Sequence, residues 1–191
     1  MHPKLRSTLL AATAIAAYSL PAAAQQAGGA QQAGNVTTDL SLDVGQAEKK
    51  FMDLARAIPA DKYGWRPGQG VRSVGEVLMH VAADNYLLAS ALGFPADAST
   101  GIKGSDYNTA VAFEKRTMSR DAMLAELQKS FAHVRSGLTG TPANRLTEKV
   151  SLFGQSFTVQ QAWILTVTHL HEHLGQLIAY ARSNGIAPPW S

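Results

Sequence analysis

From Val44 onward, apolar side chains return every three or four positions: Val44, Ala47, Phe51, Leu54, Ala55 and Ile58. That stripe is the buried face of an amphipathic helix, and Pro59 stops it. A second stretch opens with Ser73-Val74-Gly75-Glu76. This is a capping box, in which Ser and Glu satisfy each other's free backbone N–H groups, and it predicts a helix over 74–92. Leu124, Leu127, Phe131, Val134 and Leu138 mark a third helical face starting at Ser119, with Gly140 past its end and residues 107–117 as a backward extension. Thr158-Val159-Gln160-Gln161 repeats the capping box and opens a helix reaching Asn184. Gly185 supplies the residue past its C-terminus, and Pro188 and Pro189 bar continuation. Just before this helix, "VSLFGQSFTV" holds two short β-compatible runs around Gly154 and reads as an extended turn. The segments "YGWRPGQGVRS" and 93–106 are connections. With no internal repeat and little strand signal, the pattern predicts an all-α fold, an up-and-down four-helix bundle.

The N-terminus breaks the pattern. Residues 1–24 have the layout of a cleavable signal peptide, with Lys4 and Arg6 ahead of an apolar stretch from Leu9 to Leu20 and the small residues Ala22-Ala23-Ala24 at the cleavage point. Twelve apolar residues fall short of the roughly 20 that span a bilayer, so no stable membrane anchor is expected. Residues 25–38, rich in Gln, Ala and Gly, read as a flexible linker, and the bundle domain as 39–191. The expected location is periplasmic or secreted.

Export changes the charge reading. Removing Lys4 and Arg6 lowers the formal net charge from +3 to +1, with 15 basic against 14 acidic residues. A near-neutral chain with scattered charges has no footprint for nucleic acid, which is bound through clustered Lys and Arg. The absence of cysteine excludes disulfides, thiolate ligands and a cysteine nucleophile, so a soft-metal site must use histidine.

Three of the six histidines fall within 169–173. At about 100° per residue, His169 and His173 share one face of the last helix, Gln176 and Tyr180 stay in the same sector, and His171 points away. The second helix offers His80, with Glu76 and Asp84 one turn to either side. Imidazoles at i and i+4 clasp one ion, and a third from a facing helix completes the triangle while leaving a position for water or substrate. His80, His169 and His173 are therefore the predicted metal ligands. Glu76, Asp84, Gln176 and Tyr180 are the candidates for orienting the ligands or positioning substrate. Simpler roles stand beside these: Glu76 as a helix cap, Asp84 as a solvated carboxylate, His171 and His133 as surface residues. The zincin motif is absent, because Leu170 follows His169 and Gly175 stands where the second histidine after His171-Glu172 is required.

Three stretches carry a family resemblance: "YGWRPGQGVRSVGEVLMHVAADN", "KVSLFGQSFTV" and "HLHEHLGQLIAYARSNGIAPP". Together they make the chain resemble the DinB superfamily, the DinB/YfiT-like metal-dependent bundles, over about 40–189. The resemblance implies a four-helix bundle, often dimeric, whose divalent metal is held by the histidines at positions 80, 169 and 173. Family relatives of known activity are transferases and isomerases that activate a small thiol such as bacillithiol or mycothiol. Those thiols belong to the cytoplasm, which sets them against the signal sequence here.

The sequence thus predicts an exported metal-dependent enzyme, hydrolase or transferase in type, acting on a small molecule. The alternative is a metal-binding, sensing or delivery module without turnover. Zinc is the first expectation for the metal, with nickel, iron or manganese also suited to the donors, and a homodimer is compatible with the resemblance.

Overall fold

The computed structural model describes residues 22–191, with side chains from Val36. Its helices are α1 (Ala22–Ala57), α2 (Val74–Ala91), α3 (Tyr107–Glu114), α4 (Arg120–Gly140) and α5 (Val159–Ser183), and a two-stranded hairpin, β1 (Lys149–Leu152) and β2 (Gln155–Thr158), precedes α5. The fold is all-α apart from this hairpin. Both capping boxes form, Ser73 with Glu76 and Thr158 with Gln161. Gly185 takes the left-handed conformation that ends α5.

The segment 25–38, expected as a flexible linker, has helical backbone as part of α1. Alanine and glutamine are good helix formers, and extension from a packed helix needs no new nucleus. Of the expected leader 1–24, positions 1–21 lie outside the described residues. No described helix is long and apolar enough to cross a membrane.

Two other expectations change. Residues 107–117 do not extend the third long helix backward: Tyr107–Glu114 is a separate helix capped by Asp106, and Ser119 caps α4 afresh. "VSLFGQSFTV" is a paired antiparallel hairpin, with Lys149 opposite Thr158 and Leu152 opposite Gln155. Its turn holds Phe153 and Gly154 at φ 52° and 75°, the positive values a two-residue hairpin needs.

The long helices pack in a ring, α1 against α4 and α5, and α2 against the same two, so that α1 faces α2 across the diagonal. Contacts fix the directions. Along α1 and α4, Glu48 pairs with Arg135, Phe51 stacks on Phe131 at 5.5 Å, and Arg120 donates to the Arg56 carbonyl, an antiparallel match. Along α2 and α4, Gly75 lies by Met123, Asn85 donates to Ser130, and His133 meets the Phe94 carbonyl just past the end of α2, a parallel match. α2 and α5 run antiparallel, from Trp65 on Tyr180 ahead of α2 to Phe94 on Trp163 beyond it. The order is therefore up, down, down, up rather than the alternating order expected. The connection from Leu92 to Ser119 is the reason: it is long enough to return along the roughly 27 Å of α2, so α4 starts at the same end as α2.

A single buried core runs through the bundle, from Val44, Phe51 and Leu54 of α1 to Trp163, Leu170 and Leu177 of α5. Gly104, in the returning connection, sits where a Cβ would lie 2.3 Å from the Ala91 nitrogen. That close approach presses the segment leading into α3 onto α2, and α3 then lies against the face of α2 that carries His80.

Candidate metal centre

The site lies where α2, α3 and α5 meet. Spacing on α5 places His169 and His173 one turn apart on the face turned to α2, and their Nε2 atoms are 3.0 Å apart. His80 of α2 brings its Nε2 to 3.3 Å from that of His169. Asp84, one turn after His80, places Oδ2 at 3.6 Å from His80 Nε2 and 3.3 Å from His169 Nε2. The three histidines predicted from the sequence do converge.

The second ring nitrogens set the tautomers. His80 Nδ1 is 2.6 Å from Oε1 of Glu114, and a carboxylate only accepts, so Nδ1 carries the proton and Nε2 presents a lone pair. His173 Nδ1 donates to Gln176 Oε1 at 2.8 Å, while the Gln176 amide nitrogen donates to the Tyr180 hydroxyl at 2.9 Å. The sequence assigned Gln176 and Tyr180 to the site, and they serve it by orienting His173. Glu114, which sequence reasoning missed, orients His80.

Converging lone pairs and a carboxylate oxygen repel one another unless a cation sits among them. Ligands about 2.0–2.1 Å from a tetrahedral metal lie about 3.4 Å from each other. The separations above, 3.0 to 3.6 Å, are close to four of the six edges of such a tetrahedron. The donor set, three imidazoles and one carboxylate, suits a divalent metal of borderline character. The other Asp84 oxygen, Oδ1, is buried with no hydrogen-bond partner, an arrangement a protein rarely leaves without an ion, water or ligand to satisfy it.

Burial, reinforced by His173 and His80, pushes His169 down to about 3, and burial likewise lowers His173. Both imidazoles are therefore neutral at pH 7, the form that ligates. Burial pushes the Asp84 carboxyl up to about 6, against the pull of His80. Burial raises the Glu114 carboxyl too, but the His80 hydrogen bond and the Arg72 guanidinium 3.3 Å away outweigh it and hold Glu114 below the usual range. His80 and His173 are 6% and 9% exposed, whereas the His169 side chain is 19% exposed, so solvent reaches the centre past His169.

The other described histidines stand apart. His171 points outward and pairs with Asp43 of α1 at 2.9 Å, and His133 bonds the Phe94 carbonyl at 3.0 Å from within a half-buried setting. Glu76 does not reach the centre: it caps α2 and pairs with Arg66 at 3.1 Å.

Fold and site together define a helical bundle with an interhelical centre of three histidines and a carboxylate, fitted to a divalent metal. The chain belongs to the DinB superfamily, whose family model matches residues 44–177. No curated protein matches it. Among solved structures, a DinB-like protein from Bacillus cereus is similar at a TM-score of 0.62 and 14% identity, over 75% of this chain and 89% of that one. A DinB-like protein from Bacillus subtilis is similar at 0.58 and 18%, over 77% and 92%. A variant of mycothiol-dependent maleylpyruvate isomerase is similar at 0.59 and 13%, over 74% of this chain and 60% of that one. At these identities the likeness is one of fold.

Proposed function

We propose that the protein is an exported metal-dependent enzyme that activates a nucleophile, water or a substrate group, at His80, His169, His173 and Asp84. The observation that carries this reading is the convergence of three imidazoles, with Asp84 Oδ2 3.6 and 3.3 Å from two of them, beside a buried carboxylate oxygen with no partner. When bound, a divalent metal supplies Lewis acidity that lowers the pKa of a nucleophile beside it. The protein does the rest. Glu114 and Gln176 fix the His80 and His173 imidazoles in one tautomer, and burial keeps His169 and His173 neutral. Asp84, whose carboxyl burial pushes up to about 6, is the proton acceptor in this reading. Zinc is the first choice for the metal, since it favours four donors of N and O type. The isomerase neighbour is mycothiol-dependent; the signal-like N-terminus here favours a nucleophile available outside the cytoplasm.

The second reading, a binding or delivery module, draws on the same carboxylate. If Asp84 ligates fully, the four protein donors close the site as in structural zinc centres. Turnover of a panel of esters, phosphoesters and thiol conjugates, with and without chelator, separates the two. The enzyme reading expects chelator-sensitive turnover that Asp84→Asn abolishes. Stoichiometric metal with no turnover of any panel member leaves the module.

A further inference from the structure

On the Nδ1 side of His80 lies a cavity of about 290 Å³ whose charged walls are Arg66, Arg72, Lys115, Glu76 and Glu114. Its two carboxylates are already engaged. Glu76 accepts from the Ser73 N–H at 2.6 Å and from Arg66 at 3.1 Å, and Glu114 accepts from His80 at 2.6 Å and Arg72 at 3.3 Å. The cations are less so. Arg72 gives Glu114 a single contact through one terminal nitrogen and leaves its other N–H groups unpaired among the described residues, and the exposed Lys115 ammonium has no partner there. Three cations against two committed carboxylates leave the cavity positive, with spare donors on the residues that line it.

We propose that this cavity is a binding site for a small oxyanion, the carboxylate or phosphate group of a small-molecule ligand, held by Arg72 and Lys115. A guanidinium presents a planar fork of N–H donors that matches either oxyanion, and a flexible ammonium closes on it from the side. The cavity is at the small end of ligand pockets, which run from about 300 Å³ upward, and so suits one acidic group rather than a whole cofactor.

The site is joined to the metal centre through Glu114, whose Oε1 holds His80 and whose Oε2 holds Arg72. Arg72 also acts electrostatically on His169, His173 and Asp84. An anion that neutralises Arg72 relieves its repulsion of a metal cation, so metal and anion each tighten the other's binding by the same factor. This coupling rests on the metal reading above; the anion site does not.

The test is a heteronuclear NMR titration of the metal-free protein with inorganic phosphate and, separately, with propionate, following the arginine side-chain N–H signals. Saturable binding of at least one anion is expected, and which one binds distinguishes phosphate from carboxylate recognition. Arg72→Gln should weaken it about tenfold, and Lys115→Gln, which removes an ammonium with no hydrogen bond or ion pair among the described residues, roughly threefold. Lys129→Gln, on an exposed part of α4, should change nothing. Absence of saturable binding, or equal affinity in all three variants, overturns the proposal. So does binding that needs metal and ignores Arg72 and Lys115, which is direct coordination at the metal. If the protein takes up no metal yet binds the anion through Arg72 and Lys115, the metal reading fails and the anion site stands.

Discussion

Asp84 holds one carboxylate oxygen against two imidazoles and the other against nothing. Without metal this is a conflict, since burial raises its carboxyl from the ordinary 3.8 to about 6. A carboxyl whose folded pKa is raised adds stability at low pH and loses it as pH climbs from its unfolded to its folded value. Asp84→Asn should therefore stabilise the metal-free protein at pH 7, by up to about 3 kcal/mol, and the gain should vanish by about pH 3, where the carboxyl is largely protonated in both states. Denaturant melts at the two pH values check this, and an unchanged or lower stability at pH 7 argues against a conflicted carboxylate. The same substitution should weaken metal binding. Metal affinity of the parent should fall as pH drops below about 6, because Asp84 must lose its proton to ligate. Among the histidines, His169→Ala or His173→Ala should cost more than about 100-fold in metal affinity, and His171→Ala or His133→Ala almost nothing, as read by competition with a chromogenic chelator. The ligand histidines were legible from sequence because i and i+4 on one helix is a local relation. The sequence left open whether Asp84 or Glu76 joins the donor set, since a carboxylate one turn from His80 is equally at home in solvent until the packing of α5 buries it.

At the scale of elements, α3 is what the sequence concealed. Its eight residues are too few to display a clear period, and the stretch merged with the stronger stripe of the following helix. Yet α3 brings Glu114 to His80. The two acids near α2 thus divide their work: Glu76 caps the helix and Glu114 orients the ligand. Glu114→Gln should lower metal affinity about 10–100-fold with little loss of fold, as removal of a partner behind a ligating histidine does. Glu76→Gln should leave metal affinity unchanged and lower stability by about 1 kcal/mol at most, because glutamine still reaches the capping N–H. Isothermal titration and thermal melts of the two variants separate these roles, and a metal defect equal in both contradicts the division. Both capping boxes, by contrast, were readable residue by residue, because a cap is specified within four positions.

For the molecule as a whole, the sequence specified four long helices and their buried faces, but not the order in which they alternate. Handedness and direction depend on what the connections span, and the 92–119 connection reverses the alternation that short loops impose. The resulting order sets α5 antiparallel to α2, which lets one turn of α5 meet one turn of α2 with all donors at the same level. Metal binding is then linked to folding, because the unfolded chain has no such meeting point. At a free metal concentration 100 times the dissociation constant, the folded state gains about 2.7 kcal/mol, and the melting temperature should rise by several degrees and fall back with chelator. The most direct test of the account is X-ray absorption spectroscopy at the edge of the metal bound by the purified protein. It should show one metal per chain with three imidazole nitrogens and at least one oxygen at about 2.0–2.2 Å. Substoichiometric metal, or a shell with fewer than three imidazoles, contradicts a centre built from His80, His169 and His173.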